Sequence, residues 1–302
     1  MPVWNAAPWL EEAASSILGQ TFRDLELVAV DDGSTDDSPA ILDALARRDR
    51  RVVVLHREST GIVGALEDGF AAARAKLVAR MDADDVSLPD RIALQVAWME
   101  QRPEVVALGT AIEVVDPFGS PVKRHHPPVE HAAIEARLLA GDGWGLVHAS
   151  ALLRRDAVAR AGGYRRIFEH VEDIDLFLRL GERGRLANLP DVLFRNRHHL
   201  ASINKTHFRR QGALKRQAIA EACARRGLPP PAETDVAPEV HLAPSLQSAY
   251  WSLCALRRGH LAVAARHVVA GVASAPRTPS QWIEAARSAI DVARARLARG
   301  RT

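Results

Sequence analysis

Three clusters of acidic residues contain the side chains most able to do chemistry in this sequence. In the second cluster, Asp82 and Asp84 follow an apolar run at residues 77–81 that is typical of a short buried strand. Alternate residues of an extended chain point to the same side, so these two carboxylates can converge on one point. Converging oxygen ligands suit Mg²⁺ or Mn²⁺ and the phosphates that such ions accompany. A polar loop with a capping aspartate would explain the same residues without a metal.

The first and third clusters are adjacent carboxylate pairs. Asp31 and Asp32 end a strand-like run and precede Gly33, as in a strand-to-helix turn. Such a turn does not explain two adjacent carboxylates at the end of a strand, where open α/β sheets place their ligands. Glu172 and Asp173 open an amphipathic segment, where the helix dipole alone would favour acidic residues.

The hydrophobic pattern predicts the elements that must position these clusters. Strand and helix patterns alternate through the first half, which predicts an α/β fold with a mainly parallel sheet flanked by helices. Helical patterns dominate after about residue 205, so we expect two domains, 1–204 and a helical C-terminal extension at 205–302. The predicted strands are 25–30, 51–55, 77–81, 105–115, 151–154 and 187–195, the predicted helices include 9–18, 38–48, 64–74, 209–226, 242–273 and 280–297, and 117–128 is predicted to be a loop.

Composition favours a soluble globular enzyme. Of the 302 residues, 47% are hydrophobic, yet no run reaches the roughly 18 apolar residues of a transmembrane helix. Two cysteines are too few for a disulfide framework, which predicts a reducing, cytoplasmic setting. The net charge of +3 is too small to indicate nucleic-acid binding, although it is compatible with binding of a nucleotide or with peripheral contact with an anionic membrane.

Several short motifs, taken in order, resemble those of family-2 glycosyltransferases with the GT-A fold. They extend from residue 2 to about residue 204, and together they are specific for the family but not for the sugar. The motifs are Pro2–Asn5, Ser16–Phe22, Val30–Asp36, Met81–Asp85, Gly162–Tyr164 and Glu172–Asp173. The resemblance implies inverting transfer of a sugar from a UDP-, GDP- or dTDP-sugar to a glycan or lipid-linked acceptor, in polysaccharide, lipopolysaccharide or glycolipid synthesis.

The resemblance also implies a site for Mg²⁺ or Mn²⁺. Asp84 would be the direct metal ligand, and Asp82 would contact the ribose or a metal-bound water. Asp85 is a weaker candidate. His199 lies near a family histidine that approaches the diphosphate or the metal, although a surface loop explains it equally well.

Other positions are implied to bind the nucleotide sugar. Asp32, with Asp31 beside it, matches the family position that reads the nucleobase. Pro2 and Trp4 match the segment that packs against the nucleotide, although core packing explains Trp4 equally well. Gly61 lies in the glycine-containing segment of the donor site.

Catalysis is implied for Asp173, which matches the general base that takes the proton of the acceptor hydroxyl. We expect the neighbouring Glu172 to raise the pKa of Asp173 by like-charge repulsion. His148 matches a family position that orients the acceptor loop, and Gly162 and Gly163 predict a tight turn on the acceptor side.

Two departures from the family affect these expectations. Members carry a further apolar strand just before the segment that corresponds to Pro2–Asn5, whereas this sequence has only Met1 there. We expect either a translation start upstream, which we favour, or a sheet that lacks this central strand and leaves its neighbours exposed. The segment Ser59–Glu67 lacks an arginine that contacts phosphate in many members, unless Arg57 or Arg80 replaces it.

Three other functions each explain part of the sequence. A nucleotidyltransferase uses a similar sheet, but it normally begins with a glycine-rich basic loop that is absent here. A phosphorelay receiver domain explains Asp31 and Asp32 but not the cluster at residues 82–85. A truncated or inactive paralogue, which binds nucleotide or a partner without catalysis, explains the missing strand but not the retention of Asp84 and Asp173.

Overall fold

The computed structural model describes residues 1–199, 208–229 and 244–273. Strands and helices alternate in the first part, as predicted, and helices follow. The elements are β1 (Pro2–Val3), α1 (Ala7–Leu18), β2 (Leu27–Asp32), α2 (Ser38–Arg48), β3 (Val52–Arg57), α3 (Ile62–Ala72), β4 (Leu77–Ala79), β5 (Val86–Ser87), α4 (Arg91–Glu100), β6 (Val105–Val115), β7 (Pro121–His125), α5 (His131–Leu139), β8 (Leu152–Arg154), α6 (Arg155–Arg160), α7 (Glu172–Gly181), β9 (Arg185–Arg197), α8 (Phe208–Arg226), α9 (Pro244–Arg257) and α10 (Leu261–Ala273).

The strands form two sheets. The first is parallel, with the order β1–β2–β3 and Pro2 paired with Val30. The second has the order β4–β8–β6–β9–β5, with β7 beside β6, and its pairs β4–β8, β5–β9 and β6–β8 are antiparallel. The α/β class with flanking helices is therefore confirmed. Among these pairs, only those of β1–β3 are parallel. The sequence could not predict the direction of each pair, because hydrophobic periodicity carries no information on strand direction.

A cavity of about 330 Å³ lies between β2 and β4, lined mainly by apolar side chains of α1, β2, α3, β4 and α4. Met1 lies at its edge and extends β1 by one residue. The Met1 amino group donates to Val28 O at 2.8 Å, and Val30 N donates to Met1 O at 2.9 Å. Within the described residues, β4 is an end strand of its sheet, paired only with β8.

Helix α7 is fixed in the core by both apolar packing and buried charge. Its sequence is amphipathic, yet nearly all of its residues are buried. Asp175 accepts from Arg179 Nη2 at 2.5 Å and from Arg165 Nε at 3.2 Å. Because a buried carboxylate paired with two guanidinium groups has few alternative positions, this network holds the first turn, with Glu172 and Asp173, in place.

The described residues form two compact units. The first contains residues 1–113, 124–196 and 213–229, and the second contains 114–123, 197–199, 208–212 and 244–273. The predicted boundary at residue 204 lies outside the described residues. The division into domains 1–204 and 205–302 therefore stays a prediction.

Two predictions of secondary structure are wrong in part. The proline-containing segment 117–128 includes β7, which pairs with β6. The predicted helix 242–273 is two helices, because Gly259 adopts a φ of 77° between them, a conformation that favours glycine. The predicted helix 280–297 lies outside the described residues. None of the described helices is long and apolar enough to span a membrane.

Candidate functional site

The loop after β4 brings Asp82, Asp84 and Asp85 together. One carboxylate oxygen of each lies within 4.8 Å of the others. Asp85 is buried and accepts from Asn196 Nδ2 at 3.2 and 3.0 Å, whereas Asp82 and Asp84 are partly exposed. Three hard oxygen donors with two accessible carboxylates fit Mg²⁺ or Mn²⁺. The expected convergence of Asp82 and Asp84 is therefore present, but a turn at residues 83–84 produces it rather than strand alternation.

Arg80 binds Asp82 from the buried side of this loop. Its Nη1 pairs with Asp82 Oδ2, and the side chains are 5% and 30% exposed, respectively. Burial raises the pKa of Asp82 despite the adjacent guanidinium, and Asp84 raises it further. A bound divalent cation would favour the ionised form and reverse this effect. In this structure the Arg80 guanidinium therefore pairs with Asp82, and its side chain is not exposed for contact with a phosphate.

Arg91 supports the same loop and was not identified from the sequence. Its side chain is fully buried, Nη2 donates to Arg80 O at 2.9 Å, and Nε donates to Gln95 Oε1 at 3.1 Å. The guanidinium lies 4.8 Å from the ring centroid of Phe194. Burial lowers the pKa of Arg91 to about 9, so it stays charged at neutral pH. An arginine in the first turn of α4, after Pro89, looks like an ordinary surface residue in the sequence.

Asp31 is held by groups on β3 and on the loop after β2. Its Oδ1 accepts from Ser34 N at 3.0 Å, and its Oδ2 lies 2.9 Å from His56 Nδ1. Burial alone would raise the pKa of Asp31, but the hydrogen bonds from His56 and Ser34 outweigh burial and lower it. Asp31 is therefore ionised at neutral pH.

Asp32 shapes the loop that begins α3. Its Oδ1 accepts from Thr60 N at 2.9 Å, and its Oδ2 accepts from Gly61 N at 3.0 Å. Gly61 has a φ of 89°, and a Cβ there would lie 1.9 Å from Glu169 Oε1. Arg57 contacts the same carboxylate, with Nε 3.4 Å from Asp32 Oδ1. These contacts establish a structural role for Asp32, and its role in reading a nucleobase stays a prediction.

Trp4 lies on the surface beside the loop that follows β2. Its side chain is 60% exposed, so the alternative of core packing is wrong. The chain there is fixed by Val3, which pairs with Asp31. It is also fixed by Asn5, whose N–H donates to Ser34 Oγ at 3.0 Å. The segment therefore exposes the Trp4 indole one residue after the backbone pair of Val3 and Asp31, while contact of Pro2 and Trp4 with a nucleotide stays a prediction.

The third acidic cluster has two unlike carboxyl groups. Asp173 is partly exposed, and its Oδ1 accepts from Ile174 N at 2.8 Å. Glu172 is 7% exposed, and its Oε2 has no hydrogen-bond partner among the described residues. Burial, with a smaller contribution from Asp173, raises the pKa of Glu172 to about 8. We expected Glu172 to raise the pKa of Asp173 as an anion, but the more deeply buried Glu172 is itself protonated at pH 7.

His148 and Tyr164 form a buried pair. His148 Nε2 lies 2.8 Å from the Tyr164 hydroxyl oxygen. Burial, and then Arg80, hold the pKa of His148 well below its usual value, so the imidazole is neutral. Gly162 and Gly163 have φ of 88° and 67° and form the predicted tight turn before Tyr164. His148 therefore contacts the residue that follows this turn, and its role in orienting the acceptor loop stays a prediction.

Tyr164 connects the second and third acidic clusters. Burial raises its pKa strongly and the Arg80 guanidinium opposes this effect, while the carboxyl groups of Glu172, Asp173 and Asp82 raise the pKa further. The pKa of Tyr164 therefore responds to the charges of both clusters. His199 belongs to the second unit, and its role as a metal ligand stays a prediction.

Comparison with known proteins gives a family match over the first half of the chain. The model of "Glycosyl transferase family 2" matches residues 1–162. The putative glycosyltransferase EpsE of Bacillus subtilis is 29% identical over 265 residues, which cover 86% of this chain and 91% of that protein. The amylovoran biosynthesis glycosyltransferase AmsE of Erwinia amylovora is 32% identical over 198 residues, covering 65% and 73% of the two chains.

Solved structures give the same fold. A mannosyltransferase from Pyrobaculum calidifontis, in complex with GDP-Man and Mn²⁺, superimposes with a TM-score of 0.57 at 21% identity, covering 96% of this chain and 79% of its own. Staphylococcus aureus TarS, in complex with UDP, gives a TM-score of 0.55 at 17% identity, covering 88% and 87%. At these identities the likeness establishes the GT-A fold alone.

Proposed function

This chain belongs to glycosyltransferase family 2, and from that premise we propose that it is an inverting, metal-dependent transferase acting on a nucleotide sugar. The observation that carries the proposal is the convergence of the Asp82, Asp84 and Asp85 carboxylates, with oxygens within 4.8 Å of one another, in a chain that the family model matches. This cluster would hold a cation, and Asp173 in the first turn of α7 is the candidate base. Family membership also removes the nucleotidyltransferase and receiver-domain alternatives.

The donor is a sugar linked to a nucleoside diphosphate. Two structural relatives were solved with a nucleotide ligand bound, GDP-Man in one and UDP in the other. Here, the exposed indole of Trp4 offers a stacking face for a base. Asp31 and Asp32 are buried and hydrogen-bonded in this structure, so either would accept an N–H of the base only in place of a present hydrogen bond. A carboxylate accepts an N–H from either uracil or guanine, so UDP-, GDP- and dTDP-sugars are the candidates.

The reaction requires one proton acceptor and no nucleophilic residue. Asp173 takes the proton of the acceptor hydroxyl as that oxygen bonds to the anomeric carbon, while the bond to the diphosphate breaks on the opposite face. Neutral Glu172 leaves Asp173 without a second negative charge beside it. Arg80 fixes the orientation of Asp82 towards the donor side.

The acidic cluster would hold the cation. Asp84 and Asp82 would be ligands, with Asp85 and His199 as further candidates, and the cluster's three oxygen donors fit such an ion. When bound, a divalent cation supplies stabilisation of the negative charge on the leaving diphosphate.

Calorimetry tests this proposal on the full chain. UDP, GDP and dTDP would be titrated with and without Mn²⁺ into the wild type, Asp84→Asn and Asp191→Asn. Asp191 is exposed, so its variant matches the change of charge outside the acidic cluster. We expect Mn²⁺-dependent binding of one nucleotide, lost in Asp84→Asn and retained in Asp191→Asn. Folded wild-type protein that binds none of them would overturn the proposal in favour of an inactive paralogue.

A further inference from the structure

Helices α9 and α10 of the second unit pack against each other as an antiparallel hairpin. Near the turn between them, the Ser252 hydroxyl donates to Ala264 O at 3.2 Å. Further from the turn, a Cβ added at Gly271 would lie 3.2 Å from Ser248 Cβ. The contacts run backwards along α9 as they run forwards along α10, which defines the antiparallel pair. These four residues therefore mark the line along which the helices meet.

Each helix also carries an exposed apolar stripe that follows this line by one residue. On α9, Leu253 comes directly after Ser252 and is 47% exposed, and on α10, Val272 comes directly after Gly271 and is 70% exposed. One residue turns the side-chain direction of an α-helix by about 100°, and residues three or four apart share a face. The exposed apolar residues are Leu253 and Leu256 on α9 and Leu261, Val268, Val269 and Val272 on α10.

The two stripes lie on the same side of the hairpin. In an antiparallel pair, a step of one residue beyond the line of contact rotates both side chains towards the same side. The opposite side packs on residues 114–123, where His267 Nε2 lies 2.7 Å from Asp116 Oδ2 and the Arg266 guanidinium lies 5.4 Å from the Phe118 ring centroid. The stripes therefore form one apolar surface, the hairpin face, and an exposed apolar surface of this kind indicates an interaction site.

The charge of this part of the chain indicates the partner. Residues 244–273 contain three arginines and no aspartate or glutamate, and residues 244–302 contain nine arginines and two acidic residues. Because the whole chain has a net charge of only +3, its positive charge is concentrated at this end. Arg257 is exposed and directly follows Leu256 of the hairpin face. Arginines beside an apolar helix face suit the headgroup region of an anionic bilayer.

We propose that the hairpin face is a membrane-surface anchor that lies on an anionic lipid bilayer, with its leucine and valine side chains below the headgroups. The helices have 14 and 13 residues, so each is about 20 Å long and shorter than the roughly 30 Å hydrocarbon core. The hairpin would therefore lie in the interface and not cross it. A second copy of this face is a poorer partner, because residues 244–273 offer no carboxylate to the arginines of the other copy. The anchor is independent of the proposed function.

Vesicle flotation of the full chain tests the anchor directly. The probes are vesicles of equal parts phosphatidylcholine and phosphatidylglycerol, and vesicles of phosphatidylcholine alone. We expect the wild type to bind the anionic vesicles, and to bind them more weakly as salt screens the arginines. Leu261→Gln combined with Val268→Gln should weaken this binding at least about tenfold. Arg257→Gln should weaken it about fivefold, without changing the weaker binding to phosphatidylcholine alone.

Matched controls place the same changes elsewhere. Leu94→Gln combined with Val129→Gln replaces two apolar residues of the first unit that are 46% and 42% exposed, and it should bind vesicles as the wild type does. Arg50→Gln removes an exposed arginine of the first unit and should also leave binding unchanged. Because the hairpin-face residues are exposed, Leu261→Gln with Val268→Gln should keep the wild-type denaturation midpoint, so lost binding is not lost folding.

The inference fails if folded wild-type protein does not bind the anionic vesicles, or if the hairpin-face variant binds them as tightly as the wild type does. A wild-type dimer that this variant dissociates, without vesicle binding, would overturn the anchor in favour of a contact between two copies. A lowered denaturation midpoint of the variant, again without vesicle binding by the wild type, would overturn it in favour of packing against another part of the chain. Nucleotide binding is not expected to change in any of these variants.

Discussion

Arg80 pairs with Asp82 at the boundary between the protein interior and the acidic cluster, with 5% of the arginine side chain and 30% of the aspartate side chain exposed. The guanidinium also lies close enough to Tyr164, His148 and Glu172 to influence their pKa values. Arg80 is therefore the positive centre of a buried group of ionisable residues. Its contact with Asp82 connects this buried group to the carboxylates that are candidate metal ligands.

The first prediction concerns this ion pair. We expect Arg80→Ala to lower the free energy of unfolding by about 2–4 kcal/mol, because Asp82 loses its charge partner and a buried cavity forms. Chemical denaturation measures the change, and Asp82→Asn with the double variant completes a double-mutant cycle. The control Arg160→Ala breaks an ion pair whose side chains are 60% and 64% exposed, and it should cost less than about 1 kcal/mol. Equal effects of the two arginine variants would contradict the assignment.

The second prediction concerns Glu172. Its folded pKa of about 8 lies above its ordinary value of 4.5, so the folded state binds more protons than the unfolded state between these pH values. The contribution of this group to stability is therefore fully present below pH 4.5 and is lost as the pH rises to about 8. Denaturation of the wild type and Glu172→Gln across this range should show that the variant lacks this decline. The exposed Glu130→Gln serves as the control and should keep the wild-type profile.

The third prediction concerns the amino group of Met1 in protein that begins at this residue. Burial in the cavity wall, and then Arg80, lower its pKa from 8.0 to about 5. The unfolded chain then binds more protons between these values, so this group makes stability rise with pH in that window. Acetylation of the amino group should remove the rise and stabilise the protein below pH 8. This effect opposes that of Glu172, so the two are separated by combining acetylation with Glu172→Gln. An acetylated protein with an unchanged pH profile would show that the amino group is not buried.

The fourth prediction concerns Gly61. Gly61→Ala introduces both an unfavourable φ of 89° and a Cβ that would lie 1.9 Å from Glu169 Oε1. We expect it to cost about 1–2 kcal/mol of stability because of the positive φ, and to weaken nucleotide binding because the Glu169 side chain must move away from this loop. Gly227→Ala is the matched control, since Gly227 has a φ of 65° but no atom within 4 Å of an added Cβ. Nucleotide binding weakened no more by Gly61→Ala than by Gly227→Ala would contradict a steric role for Glu169.

The sequence predicted the candidate cation-binding cluster because its members are close together in the chain. Strand alternation was the wrong reason, because a turn at residues 83–84, after the end of β4 at Ala79, brings the carboxylates together. The contacts of Asp32 could not be predicted, because its hydrogen bonds are made with Thr60 and Gly61 across the sheet edge. The roles of such side chains depend on long-range packing rather than on residue spacing.

Burial determines several properties of the site residues that residue type alone does not predict. Arg91 is a charged residue at a fully buried position, which no periodic pattern signals. Glu172 and Asp173 are chemically similar neighbours, and it is burial that raises the pKa of Glu172. Trp4 could equally have been a core residue, but the surface position of its segment leaves it exposed.

The most direct test of the central claim is release of nucleoside diphosphate by Asp173→Asn, measured together with nucleotide binding. If Asp173 is the base, the variant should bind the nucleotide with Mn²⁺ as tightly as the wild type and transfer sugar about 10²–10⁴-fold more slowly. The transferred sugar in the wild-type product should have the inverted anomeric configuration. Wild-type turnover by Asp173→Asn, or a product with retained configuration, would contradict the account.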